Sequence, residues 1–211
     1  MATKVDICNL ALGILGDPAT LVSIDPPEGS AEADHCARFY PMAKKMALSS
    51  YSWGFATRRI VPACLATKVV GDKESYVFPL PSDCLQVLAV SVDDQQETQA
   101  LVKYRIEWID GRECLITRHK DIWLSYTSSE TDESQFSAPF TLALSRLLAS
   151  MLAGPMIPGS SGSKMSADQI QLYEYFLTQA KAHDARQQRD REEFVNPFIG
   201  DASMEDWNAI D

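Results

Sequence analysis

Apolar residues in the first quarter of the chain recur at helical spacing. Val5, Cys8, Leu12 and Leu15, with Ala11 alongside, form one stripe between Thr3 and Gly16. Thr3 suits an N-cap, because its hydroxyl can accept from an otherwise orphaned amide of the first turn, and Gly16 suits a left-handed C-terminal turn. Asp17-Pro18 ends the helix. The segment 17–29 sets Leu21, Val22 and Ile24 among prolines and predicts a loop pinned by a few apolar side chains. A second helix is predicted after Ser30, with Glu32 and Asp34 in the first turn, where the helix dipole favours negative charge. Phe39, Tyr40, Ala43, Met46 and Ala47 give its apolar face, and Lys44, Lys45, Ser49 and Ser50 fall mainly on the other side. Pro41 lacks an amide donor, so it either kinks this helix or sits in the first turn of a new one. Beyond it, Tyr51, Trp53 and Phe55 alternate around Gly54 as an aromatic hinge able to wedge a helix end onto a sheet, with core packing as the ordinary role of such rings.

After Arg59 the pattern shortens to β-branched and aromatic runs between Pro and Gly. Ile60–Leu65, Tyr76–Leu80, Leu85–Val92, Val102–Ile109, Cys114–Arg118 and Ile122–Thr127 read as six strands at hairpin-like spacing. Asp110-Gly111 is the strongest turn signal, since both residues tolerate the positive φ of a tight hairpin. Tyr104, Ile106 and Trp108 share one strand face and Arg105, Glu107 and Ile109 the other, which predicts one buried and one wet face. The acidic loop 128–135 returns the chain to helix at Pro139, followed by Phe140, Ala143, Leu144, Leu147, Leu148 and Met151 as a strongly apolar face. The stretch 154–164 is expected to break that helix and be flexible. A fourth helix is predicted from about Ser166 to Glu193, packing through Ile170, Tyr173, Phe176, Leu177 and Ala180. Its last turns are charged. The remainder, 194–211, scatters Phe194, Phe198, Ile199, Met204, Trp207 and Ile210 among acids with neither period, and such a segment forms no core of its own. The whole reads as α+β: a four-helix body (1–56 and 136–193), an inserted antiparallel β-sheet region (57–135) and an extended tail (194–211).

At 211 residues and 45% hydrophobic content, such a chain can bury roughly 70% of its unfolded surface. It needs no metal or disulfide to fold. The net charge of −10 disfavours a broad nucleic-acid-binding face, which needs clustered Lys and Arg, but suits a channel through which DNA slides without sticking. Cys8, Cys36, Cys64, Cys84 and Cys114 lie well apart, with no C-x-x-C pair, and read as free, mostly buried thiols in a reducing compartment. The first 17 residues are too polar for a signal peptide or membrane span. Three histidines, His35, His119 and His183, pair with no recognisable nucleophile, and no G-x-S-x-G elbow is present. Gly154–Ser161 has the glycine spacing of a phosphate loop, but Ser160 stands where the lysine belongs and a helix precedes it. Asp93-Asp94, Glu192-Glu193 and His183-Asp184 read as solvated charge. No catalytic, cofactor or metal site is expected.

Ile7-Cys8-Asn9, Ala11-Leu12 and Leu15-Gly16, then Glu32-Ala33, Cys36 and Tyr40-Pro41, then Trp53-Gly54-Phe55-Ala56, follow one another in an order with a known counterpart. With Leu80-Pro81-Ser82-Asp83-Cys84-Leu85 and the helix Phe136–Ala153, this order resembles the head-to-tail adaptor family of tailed bacteriophages, which includes the tail tubular protein A of short-tailed phages. The resemblance spans about residues 5–155. Ser52 departs from it, standing where the family usually has proline before the hinge tryptophan. It implies a non-enzymatic virion protein, without cofactors, that forms a homo-oligomeric ring, usually of twelve copies, below the portal protein. Such a ring extends the channel for double-stranded DNA and provides the platform for the tail nozzle or other tail proteins. It would be assembled in the host cytoplasm and reside at the head-tail junction of the virion. On this reading Phe194, Phe198, Ile199 and Trp207 grip the portal or a neighbouring subunit, the β insert faces tail components, and Tyr40, Pro41, Trp53 and Phe55 are a structural hinge. Two other readings stand beside it: a tail-completion or nozzle protein, and a small cytoplasmic enzyme with a pocket around Trp53, Arg58 and Arg59.

Overall fold

The first helix, α1 (Lys4–Ile14), opens with a reciprocal cap: the Asp6 amide donates to the Thr3 hydroxyl at 3.2 Å, and the Thr3 amide donates to the Asp6 carboxylate at 2.9 Å. Gly16 closes it at φ 82°. The computed structural model describes residues 2–18, 20–66, 75–92 and 102–187. In the loop that follows α1, Leu21 and Ile24 are buried as expected, but Val22 points outward. The Asn9 side chain holds this loop with two bonds, accepting from the Leu21 amide at 2.7 Å and donating to the Leu21 carbonyl at 3.0 Å.

Ser30 caps α2 (Ala31–Ser49) through the Ala33 amide. Pro41 lies inside this single helix, on its exposed side, so the chain does not begin a new helix there. The buried face consists of Ala33, Cys36, Tyr40, Ala43, Ala47 and Leu48. Met46, expected there, is exposed, and Lys44, expected in solvent, is drawn inward by an ion pair described below.

Ser137 caps α3 (Ala138–Met156), with Pro139 in its first turn. The last helix, α4 (Ser160–Gln187), begins six residues before the predicted start. The glycine-serine stretch is therefore largely helical, because α3 runs through Gly154 and Pro155 and only residues 157–159 turn the corner. Gly159 makes that turn at φ 79°, and Gly162 lets the two helices meet. A Cβ built on Gly162 falls 2.2 Å from the Ile157 carbonyl oxygen and 2.9 Å from that of Ala153. On α4, Tyr173, Leu177 and Ala180 pack inward as predicted, whereas Ile170 is exposed and its neighbour Gln169 is buried, accepting from Arg146 at 2.8 Å. The four helices share one core that includes Ile7, Cys8, Cys36, Tyr40, Trp53, Phe140, Leu144, Leu148 and Leu152. Cys8 and Cys36 are free and meet in this core. The neighbouring Cys36 thiol, with burial, pushes the Cys8 thiol far above its ordinary range.

Two three-stranded antiparallel sheets lie between α2 and α3 in sequence. One has the order β1 (Thr57–Ile60), β6 (Trp123–Ser128), β3 (Cys84–Ser91); the other has β2 (Tyr76–Pro79), β5 (Arg112–Thr117), β4 (Tyr104–Ile109). Of the pairings only β4–β5 is a local hairpin. It closes through Asp110 and Gly111 at φ 50° and 77°, the positive values their sequence predicted. The sheets share an apolar layer of Phe78 and Leu115 from one with Val90, Leu124 and Tyr126 from the other, joined by Val102 and Ile122. The α+β class read from the sequence is the one observed: four helices and two small antiparallel sheets among the described residues.

Candidate functional site

The hinge is an aromatic stack. Trp53 is wholly buried, with ring centroids 5.0 Å from Tyr51, 5.6 Å from Phe55 and 4.8 Å from Phe140. Phe55 and Phe136 complete the group, each within 5.5 Å of the next ring. Edge-to-face geometry dominates, the arrangement that opposed ring quadrupoles favour. The Trp53 indole N–H donates to the Ala47 carbonyl at 3.0 Å, which folds the chain back over the end of α2. These rings lean on α3 through Phe140, and Leu85 of β3 packs against the same core. The sheet follows at once, because β1 starts at Thr57, whose hydroxyl donates to the Trp53 carbonyl at 2.7 Å.

Around the stack, polar groups bind separate segments to the hinge. Glu133 accepts from the Tyr40 hydroxyl at 2.8 Å and from Lys44 Nζ at 2.7 Å, and Lys44 also donates to the Thr131 carbonyl. Burial alone would raise the Glu133 carboxyl, but the bonds from Lys44 and Tyr40 outweigh it and hold the carboxyl below its ordinary range. Burial, aided by Glu133, pushes the Tyr40 phenol well up, so it stays a donor. Asp184 on α4 is only 3% exposed, and its two carboxylate oxygens accept the Gly54 amide at 3.3 and 3.2 Å. The sequence placed Asp184 in solvent; the last described turns of α4 instead lie against the hinge. Asp83, in the Leu80–Leu85 motif, is a second structural carboxylate the sequence did not flag. It accepts from the hydroxyls of Tyr126 and Ser128, and its carbonyl accepts the Ser129 amide at 2.8 Å.

Of the residues expected to matter, Tyr40, Trp53 and Phe55 are brought together here, and Pro41 lies on the outer side of α2. Phe194, Phe198, Ile199 and Trp207 lie outside the described residues, as do Asp93-Asp94 and Glu192-Glu193. Trp53 is wholly inside the core, while Arg58 donates to the Glu130 carbonyl and Arg59 sits 5.8 Å over the Trp123 ring. Among the described residues no three His, Cys, Asp or Glu side chains gather as a metal set, and none of the helices is long and apolar enough to cross a membrane.

The β4 face departs most from the sequence reading. Tyr104, Ile106 and Trp108 share the side that was expected to be buried, yet they are 40%, 45% and 71% exposed. Their register partners on β5 are Thr117, Leu115 and Glu113. Leu115, with Phe78 of β2, fills the layer between the sheets, and β4 lies one strand further out, at the edge. Beside it is a recess of about 290 Å³ lined by Lys103, Arg105 and Arg118 with Ser75, Tyr104, Ile116 and Thr117. Three cations at one recess stand out in a chain of net charge −10. Arg105 is also paired with Glu107 at 2.6 Å. Alternation of side chains along β4 puts Lys103 and Arg105 on the opposite side from the aromatic row. No protein-family model matches the chain, and no curated protein matches it.

Proposed function

We propose that the chain is a non-enzymatic virion structural protein, a head-to-tail adaptor that forms a ring below a portal protein, extends the DNA channel and carries the tail. The observation that carries this reading is where the resembling residues sit. Ile7, Cys8, Ala11, Leu12, Cys36, Tyr40, Trp53 and Ala56 come from three separate stretches and all lie buried in one core, joined by Phe136 and Phe140 from the stretch Phe136–Ala153. Residues so scattered, with Leu85 of the Leu80–Leu85 stretch packed against the same core, support the reading of a shared fold-determining set. The recognition surface is then sought at the periphery. There the protein exposes large apolar side chains on β4 (Tyr104, Ile106, Trp108) and on α4 (Ile170, Leu172, Tyr175), surface that assembly into a ring would cover. The acidic balance favours a lumen along which DNA moves without being held.

In this account the helical body and hinge are a rigid mount, residues 194–211 grip the portal or a neighbouring subunit, and the β insert faces the tail. Native mass measurement of the protein alone and mixed with the portal protein of the same genome tests it. A closed oligomer on the portal is expected, and a monomer that leaves the portal unbound would refute the reading. A ring whose lumen is neutral or basic would refute the acidic channel alone.

A further inference from the structure

We infer that the edge of β4 and the basic recess beside it receive the acidic, aromatic segment 194–211 of a second copy of the chain. This rests on the ring reading above and names the contact that would close the ring.

The receiving surface has three components. β4 ends its sheet among the described residues, so its outer backbone groups face no described strand of that sheet. One side of the edge shows the apolar row Tyr104, Ile106 and Trp108, with Trp108 most exposed. The other side shows Lys103 and Arg105, with Arg118 across the recess. An extended segment laid along such an edge presents alternate side chains to the two sides, so it is selected by apolar groups on one and anions on the other.

Segment 194–211 has that chemistry. It carries Asp201, Glu205, Asp206 and Asp211 with no Lys or Arg, and the anchors Phe194, Phe198, Met204 and Trp207. Asp206 and Trp207 are adjacent, so in an extended strand they point to opposite sides, one toward the cations and one toward the aromatic row. Reach is sufficient. The 24 residues after Gln187 span up to roughly 80 Å when extended, against a radius of gyration of roughly 17 Å for a folded chain of this length. Docking of one copy's segment on another copy's edge is a head-to-tail contact, the kind that closes a ring when the rotation permits.

The test uses the full chain with p-benzoylphenylalanine in place of Trp207. Equal amounts of light and nitrogen-15-labelled protein are mixed and irradiated, and the cross-linked peptides are read by mass spectrometry. Mixed-isotope cross-links onto residues 102–109 are expected. Reversing Lys103→Glu and Arg105→Glu together is expected to lower their yield roughly tenfold. Adding Asp206→Arg, the acid that alternation turns toward the cation side, to the reversed chain is expected to recover part of it. Trp108→Ser, at a site open to solvent, provides a second probe that leaves the core untouched and is expected to lower the yield as well. Cross-links confined to single-isotope pairs, cross-links onto the helices, or a yield indifferent to the charge reversal would overturn the inference. Native mass on the same samples separates the two levels of the account: a ring with cross-links elsewhere removes this contact and leaves the ring, whereas a monomer throughout removes both.

Discussion

Replacing Gly162 with alanine should destabilise the protein, although the residue lies in a helix where that change ordinarily helps. The helical preference of alanine over glycine is worth up to about 1 kcal/mol in a helix interior and less in a first turn. Against this stands the corner between α3 and α4. The new Cβ would sit 2.2 Å from the Ile157 carbonyl oxygen and 2.9 Å from the Ala153 carbonyl oxygen, and both obstacles are backbone. To reach ordinary contact, the first turn of α4 must move away from the end of α3 by about an ångström, which strains a packed core at about 1–3 kcal/mol. At the upper end of that range, the net loss is about 2 kcal/mol. For a chain of this length that lowers Tm by about 4–8 °C. Urea unfolding followed by tryptophan fluorescence and circular dichroism measures it, with an unchanged m-value showing that stability alone has moved. Gly13→Ala is the internal control, because Gly13 is helical and nothing lies within 4 Å of its Cβ position. It should be neutral or stabilising by up to about 1 kcal/mol. A Gly162→Ala protein as stable as the parent would refute the packing argument.

Trp53→Ala should cost about 3–5 kcal/mol, as for other large buried rings. Trp53→Phe should cost much less, since the Ala47 carbonyl keeps its bonds from the Ser50 amide and hydroxyl, and chemical denaturation of both variants compares them. Asp184→Ala strands the Gly54 amide and should lose about 1–3 kcal/mol by the same measurement, with Asp184→Asn recovering part of it. The Glu133 carboxyl has its pKa depressed in the folded state, so the stability it contributes is complete above the unfolded carboxylate range near 4.5 and is lost as pH falls through the lower, folded value. Glu133→Gln should therefore lower stability by about 1–3 kcal/mol at neutral pH and remove that component of the acid-side slope; a slope identical to the parent's below pH 4.5 would contradict it.

Local signals were readable because local atoms decide them. Thr3 and Ser30 cap the helices expected of them, Pro139 sits in the first turn of α3, and Asp110-Gly111 turns as its two residues demand, since each outcome depends on neighbours a few positions away. The departures arise where distant segments meet. Lys44 reads as a solvent residue until Glu133, 89 positions later, is placed beside it. The stretch 154–164 reads as flexible by composition, yet Gly162 is required by the approach of two helices that no local window contains. Tyr104, Ile106 and Trp108 alternate as a buried face should, but burial depends on where the strand stands in its sheet, and β4 stands at the edge. The hinge residues were found because aromatic rings at a helix end announce themselves. Asp83 and Asp184, which hold the surrounding segments, carry no such signal, because a single carboxylate shows its role only when its donors are in place.

Assembly, and not catalysis, is the role proposed for this chain. Its most direct test is native mass spectrometry of the full-length protein titrated with the portal protein of its own genome. A single closed oligomer that appears on the portal, with no free intermediate sizes at saturation, is the predicted result. A protein that stays monomeric at every ratio, with the portal mass unchanged, would contradict it.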